Sequence, residues 1–468
     1  MIRISVITSF IVIVLMGTGC VLTNPTDPYE PVKKTVGNAS SSGQTEQRDP
    51  SGSLPDTLTL DQAIETALEN NPGVAAAKTD VAAAEAQTDR ASSRRWPDVS
   101  AGTTYTSRIN EQPLGSIGAG GANQRLTDDV VTADLSTRMP LFTSGQVTNQ
   151  IRAATLQEKA AVQTLSRTRR ELTFNVSRVF FSILAQQRVI ESVKMSRKAL
   201  QEHLAQVENL ISSQKATKVD RLRTQVRLAN VEEQLTRARN VLEVKRYTLA
   251  KLLGMRDTPQ QLEVDGELRL QEKTLGSLEE MLAEAYKRRA DYQAAERKLE
   301  ARARQVDIAR AELWPTVSLE AGYAEHWDAS RFGNPEETGQ VGLAVRVPLF
   351  QGGENRAEIR QKKAELAAAQ DRLRQLKLQV RLEVRTARSD ISSARKRVTS
   401  TEKAVDQGKE SLRIERTKYR LGEGTQTDVL DAQAELLEAQ TNYYRALADY
   451  NTALKELRLA MGAEAGQE

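Results

Sequence analysis

Few residues in this chain of 468 are equipped for chemistry, and their spacing limits what that chemistry is. There are two histidines, His203 and His326, and one cysteine, Cys20. Neither histidine has a neighbour at metal-ligand spacing, so no metal site is expected. A single cysteine excludes a disulfide within the chain. Gly352-Gly353 and the run from Gly118 to Gly121 lack the rest of any phosphate-cradling motif, and no cofactor is expected. No nucleophile stands beside a positioned base, which argues against an enzyme. The distinctive acids are Asp220, Asp428 and Asp431. Thr217-x-x-Asp220 and Thr425-x-x-Asp428 have capping-box spacing, and an acid in a helix's first turn also suits the macrodipole. Capping does not explain Asp431, one turn beyond Asp428 on the same face. What these carboxylates offer is electrostatic: they attract cations and repel one another.

The elements that must hold these residues are written twice. Thr59-Leu60-Asp61-Gln62-Ala63 and Ser277-Leu278-Glu279-Glu280-Met281 each open a helical segment with a capping-box pattern. The segments end near Ser93 and Leu313, at Trp96-Pro97 and Trp314-Pro315, where proline forces the chain out of the helix. Arg138-Met139-Pro140-Leu141-Phe142 and Arg346-Val347-Pro348-Leu349-Phe350 follow, then long stretches with almost no helix breakers, then the Thr-x-x-Asp motifs. The copies close on Leu253-Gly254 and Met461-Gly462. The boundaries read from this pattern are 57–254 for the first repeat, 255–276 for an equatorial segment, 277–462 for the second repeat and 463–468 for a tail.

Between each Trp-Pro and the following Pro-Leu-Phe lie two stretches of period-two alternation. Val131, Ala133, Leu135 and Met139 oppose Thr132, Asp134, Ser136 and Arg138. Val317, Leu319, Ala321 and Tyr323 oppose Thr316, Ser318, Glu320 and Gly322. Val341, Leu343, Val345 and Val347 oppose Gln340, Gly342, Ala344 and Arg346. The stretch from Val99 to Tyr105 is the weakest. Two placements compete: in a soluble protein the apolar face packs on a helix, and in a membrane barrel it meets lipid. Four strands cannot close a barrel and open edges cannot stand in lipid, but three chains of four could close one. Trp96, Phe142, Trp314 and Phe350 fall at one end of the strands, as an interfacial girdle would.

From Gly145 to about Ser213 is some 70 residues, roughly 100 Å of helix at about 1.5 Å per residue. The return from Asp220 to Gly254 is half as long. The expected arrangement stacks 278–313 end to end on 220–254, and the N-terminal helix 60–93 on 428–462, with 255–276 and the segment after 462 forming a belt at mid-height.

Charged residues make up 27% of the chain and aromatics 4%, and the net charge is only +4 with both signs interspersed, a composition of long helices that gives nucleic-acid binding little support. Arg3 followed by apolar Ile4 to Met16 reads as a signal peptide, residues 1–19, ending in Gly17-Thr18-Gly19-Cys20. This resembles a bacterial lipobox with Gly17 where Leu is usual. Cys20 is then the lipidated residue of an anchored tether, residues 20–56; cleavage after small residues to leave a free thiol is the competing reading.

The segment Tyr419-Arg420-Leu421-Gly422-Glu423-Gly424-Thr425-Gln426-Thr427-Asp428-Val429-Leu430-Asp431-Ala432 is similar to the second helical tip of the TolC-type outer-membrane efflux family, and the resemblance covers residues 56–462. It implies an α+β membrane protein. Internally duplicated long α-helical hairpins form a trimeric α-barrel, and four β-strands per chain contribute to a 12-strand transmembrane β-barrel. It also implies a homotrimer in outer-membrane lipid, docked through a periplasmic adaptor (membrane fusion protein) to an inner-membrane pump of the RND or ABC type. Asp428 and Asp431 match the aspartates that line the family's periplasmic gate in rings of three, with Asp220 as the first-repeat counterpart. Capping remains a sufficient reason for Asp428. The first tip lacks the usual glycine, reading Ser212-Ser213-Gln214-Lys215-Ala216-Thr217, and Gly424 replaces the basic residue common before the second tip's Thr. Arg221 and Arg223 are the nearest cations and are candidates to pair with Asp428 or Asp431. The function so implied is passive export of small molecules through an exit duct. The duct of a type I protein secretion system, a periplasmic coiled-coil structural protein and a cell-wall adhesin are the alternatives. Uninterrupted heptads and binding repeats, which the last two need, are not apparent.

Overall fold

A computed structural model describes residues 57–107, 129–255, 262–270, 276–328 and 336–463. The signal peptide, the tether and Cys20 lie outside the described residues, as do most of the two loops between paired strands. Elements are numbered along the chain: β1 Thr57–Leu58, α1 Leu60–Asn70, α2 Pro72–Ser93, β2 Asp98–Ser107, β3 Asp129–Phe142, α3 Gln146–Ser212 and α4 Lys218–Leu252. The second copy follows as β4 Glu263–Val264, α5 Leu278–Arg288, α6 Ala290–Ala311, β5 Thr316–Asp328, β6 Glu336–Arg346, α7 Glu354–Leu421 and α8 Gln426–Met461.

At 67 and 68 residues, α3 and α7 are each roughly 100 Å long. The N-terminal segment of each repeat, expected as one helix, is two. Asn71 is extended, caps α2 by accepting from the Gly73 N–H at 2.8 Å, and precedes Pro72 at the first helical position. Arg289 is likewise extended, between α5 and α6.

The expected stacking across repeats is overturned: each returning helix stacks within its own repeat. The end of α4 meets the α1–α2 break, where Asn71 Nδ2 donates to Leu252 O at 2.9 Å. Gly254 has φ +75° and lies so close that an added Cβ would stand 2.3 Å from Asn70 O. The end of α8 meets the α5–α6 break, where Arg289 Nη1 donates to Ala460 O at 3.1 Å and Arg170 Nη1 donates to Gly462 O at 2.8 Å. The break supplies unsatisfied groups and room at the point where the incoming helix needs partners for its last carbonyls.

Four struts therefore lie side by side in the order α4/α2, α3, α8/α6, α7. The sheet has the matching order β2-β3-β5-β6, all antiparallel, because each strand continues from its own strut. Of the segment expected as a mid-height belt the structure describes residues 262–270, where β4 pairs in parallel with β1 and Leu58, Leu262 and Val264 join the core built on Phe180, Ile183 and Leu184 of α3.

Register puts the alternating faces where the sequence predicts them. Leu135 lies opposite Ala101 and Tyr323, Leu319 opposite Leu343, and Val317 opposite Val345, so one apolar face runs across the sheet. The other face carries the Arg138–Glu320 pair at 2.9 Å and the Ser100–Ser136 and Thr132–His326 hydrogen bonds. Among the described residues no helix packs across this sheet, and Val341, Leu343 and Val345 are exposed. The soluble placement of the strands needs a helix over that face, and the described residues supply none.

Candidate functional site

The helical ends farthest from the sheet hold the acidic motifs. Both tips are capped alike: the Thr217 N–H and Oγ1 donate to Asp220 Oδ2 at 2.9 and 2.7 Å, and the Thr425 N–H and Oγ1 donate to Asp428 Oδ2 at 3.1 and 2.7 Å. In return the Asp220 and Asp428 N–H groups each donate to the threonine hydroxyl at 3.2 Å. The missing glycine of the first tip is replaced by strain. Gln214 takes φ +57°, the left-handed conformation that Gly422 adopts at the second tip with φ +81°.

Asp428 is exposed, and the Thr425 hydroxyl and backbone hydrogen bonds, with Lys418 adding attraction, hold its carboxyl below the usual carboxylate range. Asp431 is also exposed and makes no hydrogen bond or ion pair with the described residues. The two carboxylates thus stand one turn apart on an open face of α8, one committed to a cap and one free. Asp220 is half-buried and its carboxylate is occupied by its own cap.

The candidate pairing of Arg221 or Arg223 with Asp428 or Asp431 is not what the chain forms. Arg223 Nη1 donates to the Thr427 hydroxyl at 3.2 Å instead, and the Nε of Arg221 is buried without a partner among the described residues. What ties the tips together is a residue the sequence reading passed over. Gln426 is 4% exposed, and its Nε2 donates to Asp220 O at 2.7 Å and to the Thr224 hydroxyl. Its place just inside the cap gave no sign of burial, because the burial comes from the other hairpin.

At the sheet end, Trp96, Phe142, Trp314 and Phe350 sit where struts become strands, and all four are exposed. Among the described residues no cluster of three or more acidic, histidine or cysteine side chains is fit to hold a metal ion, and no helix is long and apolar enough to cross a membrane.

Comparison with known proteins fits this geometry. The chain is 26% identical over 378 residues to the pyoverdine export outer membrane protein OpmQ of Pseudomonas putida, covering 80% of this chain and 79% of OpmQ. The fold is similar to that of the outer membrane protein VceC of Vibrio cholerae, at 22% identity and a TM-score of 0.73 over 86% of this chain and 96% of VceC. It is also similar to that of a membrane protein from Pseudomonas aeruginosa, at 22% identity and a TM-score of 0.75 over 86% and 93% of the two chains. The family model for outer membrane efflux proteins matches twice, over residues 63–255 and 281–463, once in each half of the duplication. The chain belongs to the outer membrane efflux protein family.

Proposed function

We propose that this outer membrane efflux protein, which is not an enzyme, is one third of a homotrimeric exit duct that passively carries small molecules across the periplasm and outer membrane. The observation that carries the reading is the pair of open edges. Struts and strands run in one order, and among the described residues neither flank has a partner: β2 and β6 end the sheet, and α4/α2 and α7 end the helical layer. An open edge is not viable in lipid, and a sheet of four strands cannot curl shut alone. Three copies give twelve strands and twelve struts. The flanking struts also keep apolar side chains in the open, Val219, Leu222 and Val226 on α4 and Leu378, Leu382 and Ile414 on α7, which suits burial against another copy.

On this reading the exposed face of Val341, Leu343 and Val345 meets lipid, and Trp96, Phe142, Trp314 and Phe350 mark the interface. Cys20 anchors the chain after removal of the signal peptide. Asp428 and Asp431 ring a periplasmic gate at the tips, where an adaptor and an inner-membrane pump of the RND or ABC type dock. Small-molecule cargo is favoured over type I protein secretion by the likeness to OpmQ, named for pyoverdine export. The test is a photoreactive residue in place of Val345 on β6. It should crosslink to β2 of another copy; crosslinks confined to β5 of the same chain would refute closure by copies.

A further inference from the structure

His203 has no part in capping or in the aspartate face, yet it is among the most enclosed titratable side chains of the tip region. It lies on α3, is 8% exposed, and its Nε2 is buried without a hydrogen-bond partner among the described residues. Its ring packs on Tyr419 of α7, centroids 5.4 Å apart and planes inclined at 58°. Because α3 belongs to the first hairpin and α7 to the second, this contact joins the hairpins near the tips.

The charges around it are unevenly distributed. From α7 come Arg416, Lys409, Arg413 and Arg420, all lining a groove of about 520 Å³ into which His203 and Tyr419 also face. Arg416 is held in place by donating to Gln433 Oε1 of α8 at 2.9 Å, and Gln433 in turn donates to Ser196 of α3 at 3.3 Å. Arg413 is paired with Glu410 at 2.6 Å. Helix α8 otherwise adds only the apolar Val429 and Leu436 to the groove. From α3 itself comes Glu202, exposed on the adjacent turn position. From α4 the charge of Asp220 acts on Tyr419, whose phenol burial and that charge push up. Burial first, and then Arg416, push the His203 imidazole below its ordinary value of about 6.5.

We propose that His203 is an acid-responsive joint between the two hairpins: neutral, it seats on Tyr419; protonated, it brings a cation into a buried contact beside Arg416 and parts α3 from α7. The proposal rests on the tips being the closable end of the duct, and it names a regulator of that end. The sign follows from linkage. An imidazole freed into water takes up a proton more readily than the seated one. The seated arrangement is therefore unpenalised above about pH 6.5 and loses ground as pH falls below it, until the seated imidazole itself titrates.

The test is single-channel recording of the unsubstituted protein from about pH 7.5 to about pH 5.5, where the open fraction should rise roughly threefold or more. His203→Leu and His203→Gln should assemble and show a flat response, and Arg416→Gln, which leaves the imidazole in place, should show a smaller rise. Asp431→Ala should start from a higher baseline and keep the acid response. An unsubstituted channel insensitive to pH over this range overturns the joint, as does an undiminished rise in the His203 or Arg416 variants. Asp431→Ala without effect at any pH would instead remove the tip gate, so the two failures are distinguishable.

Discussion

At the scale of single residues, the tip separates two uses of aspartate that its sequence runs together. Asp428 caps α8 through Thr425, whose N–H and hydroxyl both donate to one of its carboxylate oxygens. Asp431 has no such structural duty, so its removal should alter permeation more than folding. Asp431→Ala is expected to raise conductance and antibiotic leakage; planar bilayers showing unchanged conductance would exclude it from a gate. The capping boxes were legible in sequence because both partners lie within four residues of each other. Gln426, Arg223 and His203 were not legible as contacts, because each is positioned by a partner some 200 positions away, Asp220, Thr427 and Tyr419 respectively.

At the scale of elements, the two mid-height junctions do the same task with different chemistry. The first uses Pro72 and the neutral Asn71, a break written openly in Asn71-Pro72-Gly73. The second uses Arg289, 1% exposed, which pairs with Asp291 at 2.6 Å and Glu383 at 2.5 Å and also reaches Ala460 O. Nothing local in Lys287-Arg288-Arg289-Ala290 signals a break, which explains why residues 278–313 read as one helix. The stacking was misread for a related reason: end-to-end packing leaves no periodic trace, and it is decided by which break has room and donors for the incoming helix. Arg289→Met should leave Asp291 and Glu383 facing an uncharged neighbour and cost about 3 kcal/mol in unfolding free energy, against about 1 kcal/mol for Asn71→Ala. Denaturant titration of the two variants checks the order, and equal losses would contradict it. Burial alone would raise the Asp291 carboxyl, but Arg289, with Arg167 beyond it, holds it below the usual range. Its contribution is therefore present above about pH 4 and lost as pH falls through the lowered value, well below the range in which His203 acts.

At the scale of the whole molecule, the described residues set four struts and four strands in a single order, with no partner on either flank and no helix across the apolar sheet face. The duplication, the alternating faces and the long struts were readable because periodicity is local and repeats align with themselves. The proposed closure by three copies was not readable from any one stretch, since it rests on two edges, β2 and β6, that do not pair with each other among the described residues. The most direct test is purification in detergent, with particle mass and single-channel conductance measured on the same sample. Three copies per particle and discrete ion-conducting steps are expected; a monomer that stays soluble without detergent and conducts nothing would contradict the exit duct.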